Sequence, residues 1–256
     1  MTQSAPYIDP ARPRSRIKPF KAWGHMQKLL ADKEDTSQVF HIIEALNGDA
    51  IVNDFKQFSA SQNGREIMSK RQDLPTLLDD HAPLKRLPVG TVGHAYVTFM
   101  EREGLSAAGL VAESRTQRQG QKDYADDLEW YGNRLRDTHD LYHIMSGYGR
   151  DALGEDALLA YTHSQHGGLG VNFIVFMGSR QIAKLAPPDI RVKDVVAEAR
   201  RNGKAAKRVV DQDIEALLRE PIEAARERLG IQKPIMYDRA MRILKEHDIE
   251  PALLAA

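Results

Sequence analysis

The stretch LEWYGNRLRDTHDLYHIMS, residues 128–146, decides the fold that we predict for this chain. Its apolar residues recur at helical spacing, which predicts an amphipathic helix. The inward stripe of that helix contains Leu128, Tyr131, Leu135, His139, Tyr142 and His143. Two histidines therefore continue an apolar face that we expect to pack against other helices.

Two histidines and two carboxylates in this region could bind a metal ion. His139 and His143 are four residues apart, so they stack on one face of a helix, with Asp140 about 100° around the axis from His139. A turn at 147–149 ends the helix, and a helical hairpin would bring Glu155 back toward the histidines. Because imidazoles and carboxylates ligate divalent metals, these four are the predicted metal ligands and candidate catalytic residues. The alternative is a hydrogen-bonded histidine pair without metal.

Most of the remaining sequence also has helical periodicity, and no segment shows convincing strand alternation. Further helices are predicted at 39–46, 92–100, 155–166, 189–201, 221–230 and 235–246. We therefore predict an all-α fold, a single-domain helical bundle. The apolar run Val171–Met177 is either a buried helix or the wall of an apolar pocket, and it is too short to span a bilayer.

Composition excludes several classes of protein. The chain has 256 residues, which allows one large domain or two small ones. It contains no cysteine, which excludes disulfides, Cys-ligated zinc, iron–sulfur clusters and thiol nucleophiles. Basic and acidic residues balance at 36 each, so no global positive field points to nucleic acid, and we predict no nucleic-acid partner.

Two basic segments stand out against this balance. Residues 1–16 form a basic, Pro-rich arm that we expect to be flexible. The arm is either a solvated tail or a weak contact with an anionic membrane surface. The run 200–208 either complements the dipole of a helix ending at Gly203 or recognises an anionic group through its lysines or Arg208.

The pattern His-Asp-x-x-His, followed after eleven residues by Glu, resembles the signature of the coenzyme Q (ubiquinone) biosynthesis protein four family. Flanking segments are similar to other parts of that family, namely Leu29–Leu46, Phe99–Leu105, Arg134–Thr138 and Arg201–Lys204. The resemblance covers about residues 17–231. We therefore predict an all-helical ubiquinone-biosynthesis domain there, between the arm at 1–16 and a C-terminal helix and tail at 232–256.

The resemblance implies ubiquinone biosynthesis at a membrane surface, with a divalent metal held by His139, Asp140, His143 and Glu155. Zinc is the metal it favours, and iron, manganese or cobalt are the alternatives. The implied reaction is oxidative decarboxylation at ring carbon one of a polyprenylated hydroxybenzoate, in which hydroxyl replaces the carboxylate. The prenyl tail would lie in an apolar lipid-binding cavity beside the metal site, with Val171–Met177 as a candidate wall.

The implied partners are the polyprenylated aromatic lipid, the membrane, other ubiquinone biosynthesis proteins and a second copy of this chain in a homo-oligomer. The sequence has no evident transit segment, so we expect a bacterial cytoplasmic protein that is peripheral at the inner membrane. Asp137 and Tyr142 are candidates for orienting an imidazole beside the metal.

Other functions are possible for the same residues. The main alternative is a non-catalytic lipid-binding scaffold that organises the biosynthetic complex and carries a structural metal. An HD-type phosphohydrolase draws its ligands from more widely separated segments. A di-iron bundle needs a second carboxylate–histidine motif, which this sequence lacks. Both of these are therefore disfavoured.

Overall fold

The computed structural model describes residues 6–13, 16–31, 37–117 and 122–255, and within these ranges it contains helices and no β-strand. The predicted all-α class is confirmed. The helices in chain order are α1 (Pro19–Ala31), α2 (Ser37–Leu46), α3 (Ala50–Ala60), α4 (Gln62–Lys70), α5 (Leu74–Asp79), α6 (His81–Lys85), α7 (Val92–Glu103), α8 (Ala107–Gln117), α9 (Asp127–Asp137), α10 (His139–Ser146), α11 (Ala152–His166), α12 (Leu169–Leu185), α13 (Val192–Ala205), α14 (Ile214–Arg219), α15 (Ile222–Leu229) and α16 (Ile235–Glu246).

Helix α7 shows how the sequence sets the boundaries of a helix. The hydroxyl of Thr91 accepts a hydrogen bond from the backbone N–H of His94 and caps the first turn. Gly104 ends the helix with φ of 66°, a left-handed conformation that glycine adopts without a steric penalty. The predicted helix at 92–100 is therefore confirmed, and it continues for three more residues.

The stretch 128–146 forms two consecutive helices, α9 and α10, where one was predicted. Thr138 lies between them with φ of −90° and ψ of 0°. Its hydroxyl donates to the carbonyl oxygen of Arg134 at 2.9 Å, a side-chain bond that competes with regular helix geometry. Two helical backbone bonds still cross the break, one donated by Thr138 to Arg134 and one by Tyr142 to Thr138. Only Thr138 therefore separates α9 from α10.

Gly203 does not end a helix, contrary to the prediction. Helix α13 continues to Ala205. A methyl group at Gly203 would overlap the carbonyl oxygen of Tyr161 and the hydroxyl of Ser164, both in α11. Gly203 therefore allows the backbones of α11 and α13 to approach closely, which is a packing role for glycine.

The contacts group the chain into two compact units. The first consists of Met1–Pro13, Val52–Met145 and Arg208–Leu229, and the second of Arg14–Ile51, Ser146–Lys207 and Gly230–Ala256. The segment boundaries expected at residues 16 and 231 remain predictions.

In the first unit, aromatic packing surrounds a buried ion pair. The rings of Phe58 and Tyr131 have centroids 4.9 Å apart. The hydroxyl of Tyr131 donates to Asp54 Oδ2 at 2.6 Å, and the guanidinium of Arg208 also bonds to Asp54. Arg208 further binds both oxygens of Asp211 at 2.7 Å. Arg208 is thus engaged inside the protein, which weighs against its predicted role in anion recognition.

Part of the N-terminal arm is hydrogen-bonded to the start of α9. The backbone N–H of Tyr7 donates to Asp127 Oδ2 at 2.7 Å, and that of Asp9 donates to Asp126 Oδ2 at 2.9 Å. Arg12 binds the Asp126 carboxylate with Nε at 2.6 Å and Nη2 at 2.7 Å, a bidentate arrangement. Residues 6–13 of the arm therefore make specific contacts, whereas residues 1–5, 14 and 15 lie outside the described residues, and the flexible arm at 1–16 remains a prediction.

The Arg12–Asp126 pair should make the fold more resistant to acid. Burial by itself raises the pKa of Asp126, but the bonds from Arg12 and from the N–H groups of Asp9 and Glu129 outweigh it and lower the pKa to about 2. A carboxyl group with a lowered pKa stabilises the folded state above its unfolded pKa of 3.8, and this contribution is lost as the pH falls toward 2.

We expect Arg12→Ala to lower the free energy of unfolding at neutral pH by about 1–2 kcal/mol, since Arg12 is partly exposed to solvent. The difference between the variant and the parent should shrink as the pH falls between about 4 and 2. Urea unfolding across this range measures it. A difference that stays constant with pH would show that the ion pair is not its source.

In the second unit, α1 packs on α2, and α2 packs on α12. The core of this contact consists of buried apolar residues, namely Ala22, Met26, Ile42, Ala45, Leu46 and Ile174. Gly170 in α12 lies so close to α2 that a methyl group there would be 2.6 Å from the Cα of Ile43. Small and apolar side chains therefore join α1, α2 and α12 in one apolar core.

A groove of about 950 Å³ opens in the second unit along α12 and α13. Its lining is mainly apolar and includes Phe173, Val175, Phe176, Ile190 and Val196, together with Arg180 and Arg200. The predicted run 171–177 is part of α12, and one side of it borders this groove. None of the helices in the described ranges combines the length and the apolar composition needed to span a bilayer.

Candidate metal centre

Helix α10 carries three of the four predicted ligands. His139 and His143 lie one turn apart, with their Nε2 atoms at 3.3 Å and their ring planes at 88°. Asp140 is on the same helix, and one ligand atom from each of the three residues lies within 4.8 Å of the others. The structure therefore brings His139, Asp140 and His143 together as predicted.

The cluster is largely removed from water. His143 is 2% exposed and Asp140 is 9% exposed, whereas His139 is half-buried. Burying a carboxylate is unfavourable unless a positive charge or hydrogen bonds compensate for it. The site thus combines a buried carboxylate with two imidazole nitrogens, and its His139 side is partly exposed to solvent.

The spacing of these atoms fits a divalent cation. Two nitrogens bound to one tetrahedral ion at roughly 2.0–2.1 Å are about 3.3 Å apart. The Nε2 atoms of His139 and His143 have this separation. A hydrogen bond between one donating and one accepting imidazole would suit the same distance. A cation at this place would also stabilise the buried carboxylate of Asp140.

Glu155 lies in the second unit, whereas the three clustered residues lie in the first. It sits near the start of α11, four residues after the capping residue Asp151, and is half-buried. Its stripe of Leu159, Thr162 and His166 is also half-buried, so this is not the most deeply buried face of α11. Because Glu155 belongs to the other unit, its role as the fourth ligand remains a prediction.

The carboxyl end of α10 is held by Arg226 from α15. Its guanidinium donates to the carbonyl oxygens of Ile144 at 2.8 Å and Met145 at 3.0 Å. These carbonyls belong to the last turn, where a cation is favourable. The residue fixes the helix that carries the histidines. No motif or spacing in the sequence identified it, because the contact joins segments about eighty positions apart.

Two aromatic residues of α7 lie at the cluster. The ring of Phe99 stacks on His143, with centroids 5.8 Å apart and an interplanar angle of 23°. Burial raises the pKa of the Tyr96 hydroxyl, and the negative charge of Asp140 raises it further, so this phenol stays protonated. Both residues lie within the helix predicted at 92–100. Their spacing indicated burial but not the neighbour they would contact.

The two residues proposed to orient an imidazole have other partners. Asp137 accepts hydrogen bonds from Arg136 Nε at 2.8 Å and Nη2 at 2.6 Å. Burial raises the pKa of Asp137, against the lowering effect of Arg136. The hydroxyl of Tyr142 accepts a bond from the backbone N–H of Val210 at 3.5 Å. The orienting role of Asp137 and Tyr142 remains a prediction.

Comparison with known proteins identifies relatives. Residues 22–235 match the family model described as Coenzyme Q (ubiquinone) biosynthesis protein Coq4. The chain is 34% identical over 174 residues to the ubiquinone biosynthesis protein coq4, mitochondrial, of Pyrenophora tritici-repentis, which covers 67% of this chain and 56% of the relative. It is 30% identical over 193 residues to the protein of that name from Botryotinia fuckeliana, covering 73% and 64%. The chain therefore spans less than two thirds of the length of these relatives.

The fold also has a counterpart among solved structures. A crystal structure of a candidate ubiquinone biosynthesis protein from Nostoc punctiforme superposes with a TM-score of 0.64, covering 85% of this chain and 100% of the other, at 21% identity. At this identity the likeness shows a shared helical fold. The names of the fungal relatives place those proteins in mitochondria, and the bacterial location expected for this chain remains a prediction. Since the family match extends over most of the sequence, this chain belongs to the coenzyme Q (ubiquinone) biosynthesis protein Coq4 family.

Proposed function

We propose that this chain is a metal-dependent enzyme of ubiquinone biosynthesis that replaces the C1 carboxylate of a polyprenylated hydroxybenzoate ring by hydroxyl. Membership of a ubiquinone biosynthesis family supports the pathway. The observation that carries the chemistry is the pair of imidazole nitrogens 3.3 Å apart beside the buried carboxylate of Asp140. His139, Asp140 and His143 would hold the metal, and Glu155 would complete the ligand set.

The proposed reaction is a two-electron oxidation. The bond between ring carbon one and the carboxylate carbon breaks and releases carbon dioxide, and a bond from that ring carbon to a hydroxyl oxygen forms. With water as the source of this oxygen, two electrons and two protons leave the ring. We name dioxygen as their acceptor, which becomes hydrogen peroxide. In the overall reaction, the ring carboxylic acid, one water and one dioxygen give the hydroxylated ring, one carbon dioxide and one hydrogen peroxide, so the atoms and electrons balance.

The protein's own residues would prepare the site for this chemistry. A bound divalent metal, zinc in the first instance or else iron, manganese or cobalt, would act as a Lewis acid toward a carboxylate or phenolate. Asp140 supplies a fixed negative charge that favours a cation over water at this place. Phe99 holds the plane of the His143 ring. Tyr96 remains a neutral phenol beside Asp140 and can donate a hydrogen bond.

The groove of the second unit is the proposed place for the prenyl tail. Its apolar side chains, among them Phe173, Val175 and Val196, offer a surface on which a polyprenyl chain could be buried. Arg200 also lines the groove and donates to the Asn172 side chain at 2.7 Å. The lining therefore suits a long hydrocarbon that carries a polar or anionic end.

Lipid analysis of cells whose only copy carries Glu155→Ala tests this proposal. We expect a polyprenylated ring that still bears its carboxylate to accumulate, because loss of a ligand weakens metal binding. Glu246→Ala, a change at an exposed glutamate of the same unit, serves as the matched control and should leave the quinone profile unchanged.

Two outcomes would count against the proposal. General loss of quinone without the carboxylated precursor would favour the alternative of a lipid-binding scaffold with a structural metal. Full metal retention together with normal quinone levels would remove Glu155 from the ligand set and from the mechanism.

A further inference from the structure

We infer that helix α1, together with the residues just before it, is the surface through which this chain contacts an anionic lipid membrane. The residues of this α1 surface are basic or apolar and exposed, namely Arg16, Ile17, Lys18, Phe20, Lys21, Trp23 and Lys28. The inference does not depend on the metal chemistry proposed above, because it concerns the second unit and its own side chains.

The charge of this surface has one sign. Residues 16–31 contain four lysine or arginine residues and one histidine but no aspartate or glutamate. In a chain whose charges balance overall, such a segment is a local positive patch. Each lysine or arginine near an anionic bilayer strengthens binding by about five-fold. Four such residues are enough to hold a protein at a membrane when apolar contacts assist.

The exposed side chains include the apolar contacts that such binding needs. Phe20 is 92% exposed, Ile17 is 53% exposed and Trp23 is 48% exposed. The opposite face of α1 is buried, with Ala22 and Met26 in the core of the unit. Helix packing thus accounts for one face of α1 and leaves the aromatic face in water. Aromatic rings beside basic residues are typical of helices that lie in a membrane interface.

The helical geometry arranges these groups for contact with a flat surface. At about 100° per residue, Phe20 and Gln27 point away from the core, the lysines at 21 and 28 flank them on one side, and Trp23 lies on the other. Gly24 lies between Phe20 and the two lysines on this face, and a methyl group there would have no neighbour within 4 Å. A helix of 13 residues, about 20 Å long, could therefore lie along a bilayer with its rings inserted and its lysines at the headgroups.

The positive charge of the α1 surface favours an anionic membrane over other binding partners. A second copy of the chain docked on the same surface would bring two all-positive faces together, which is unfavourable. Residues 6–13 of the N-terminal arm are a weaker candidate for the membrane contact, because Arg12 is already bound to Asp126. Anionic lipid is the partner that satisfies both the positive charge and the exposed aromatic rings of the α1 surface.

The same unit links this surface to the apolar groove. Leu46 of α2 belongs to the core on which α1 rests, and it also lines the groove. A membrane contact through α1 would therefore present the groove-bearing unit to the lipid phase from which a prenylated substrate comes. This last step rests on the proposed function, whereas the membrane contact does not.

Vesicle sedimentation of the full chain tests the inference. Binding is compared between vesicles of phosphatidylcholine alone and vesicles with roughly one third phosphatidylglycerol, at low and high salt. The variants are Lys21→Gln with Lys28→Gln, and separately Phe20→Ser. The matched control is Lys245→Gln with Leu253→Ser, a basic and an apolar position that are exposed elsewhere in the same unit.

We expect binding to the anionic vesicles only, weakened by salt. The double lysine variant should bind about 30-fold more weakly, and Phe20→Ser about 5- to 10-fold more weakly. The control variant should bind like the parent protein. Equal binding by the parent and both α1 variants would overturn the inference. Absence of vesicle binding by the parent, with self-association that Phe20→Ser abolishes, would overturn it in favour of a protein interface.

Discussion

His143→Ala is expected to lower the affinity for a divalent metal by at least about 100-fold and to leave the purified protein without stoichiometric metal. His143 is the most buried of the three clustered residues, and its Nε2 lies 3.3 Å from that of His139. Its loss removes one of two nitrogen donors and leaves the Asp140 carboxylate with a single imidazole. Metal analysis of the purified variant, followed by titration with zinc, measures the effect.

Two controls separate loss of metal from loss of the fold. His247→Ala changes an exposed histidine and should leave metal content unchanged. Asp140→Asn keeps the shape of the side chain but removes its charge, so it should lose metal while its circular dichroism stays that of a folded helical protein. A folded His143→Ala protein that still holds one metal per chain would show that His143 is not a metal ligand, whereas a folded parent protein that binds no divalent metal would show that the cluster is a hydrogen-bonded histidine pair.

Gly203→Ala is expected to lower the free energy of unfolding by about 2–4 kcal/mol, although alanine is the better helix former. A methyl group at this position would overlap the carbonyl oxygen of Tyr161 and the hydroxyl of Ser164. The carbonyl is part of the α11 backbone and cannot move without shifting that helix. The methyl group would therefore push α11 and α13 apart. Urea denaturation with circular dichroism gives the difference directly.

Gly24→Ala is the matched control for this change. Gly24 is also a glycine inside a helix, but a methyl group there would have no neighbour within 4 Å. The variant should be more stable than the parent by about 0.5–1 kcal/mol, because alanine restricts the unfolded chain and favours the helix. If Gly203→Ala also raised the free energy of unfolding, helix propensity and not close packing would decide the outcome at Gly203.

The contrast between these two glycines shows what the sequence alone could and could not predict. Helical periodicity identified α7, α11 and α16 because their apolar stripes repeat along the chain. The same local pattern made Gly203 resemble a helix end, since the neighbour that requires glycine lies on α11, some forty residues away. Close approach between two helices cannot be predicted from the residues that neighbour the glycine in sequence.

The candidate site was predictable where its ligands share one helix. The four-residue spacing of His139 and His143 is a local feature, and the structure brings both to Asp140. The break at Thr138 was not predictable, because a threonine hydroxyl can bond to its own helix or point to solvent. Arg226, which holds the end of α10, depends on a contact across the chain that periodicity does not contain.

The N-terminal arm shows the limit of composition as a guide. Prolines and basic residues favour an extended, solvated segment. In the structure, Asp126 serves at once as the cap of α9 and as the partner of Arg12. A capping aspartate was predictable in kind, but nothing in its local sequence indicated that a distant arginine would bind the same carboxylate.

The most direct test of the central claim is to supply a polyprenylated hydroxybenzoate precursor with an isotope-labelled carboxyl carbon to cells that contain either the parent protein or His143→Ala. Our account predicts that the parent releases the label as carbon dioxide while the ring gains a hydroxyl group, and that the variant retains the label on the ring. Release of the label at the same rate in both cells would contradict decarboxylation at the His139, Asp140 and His143 site.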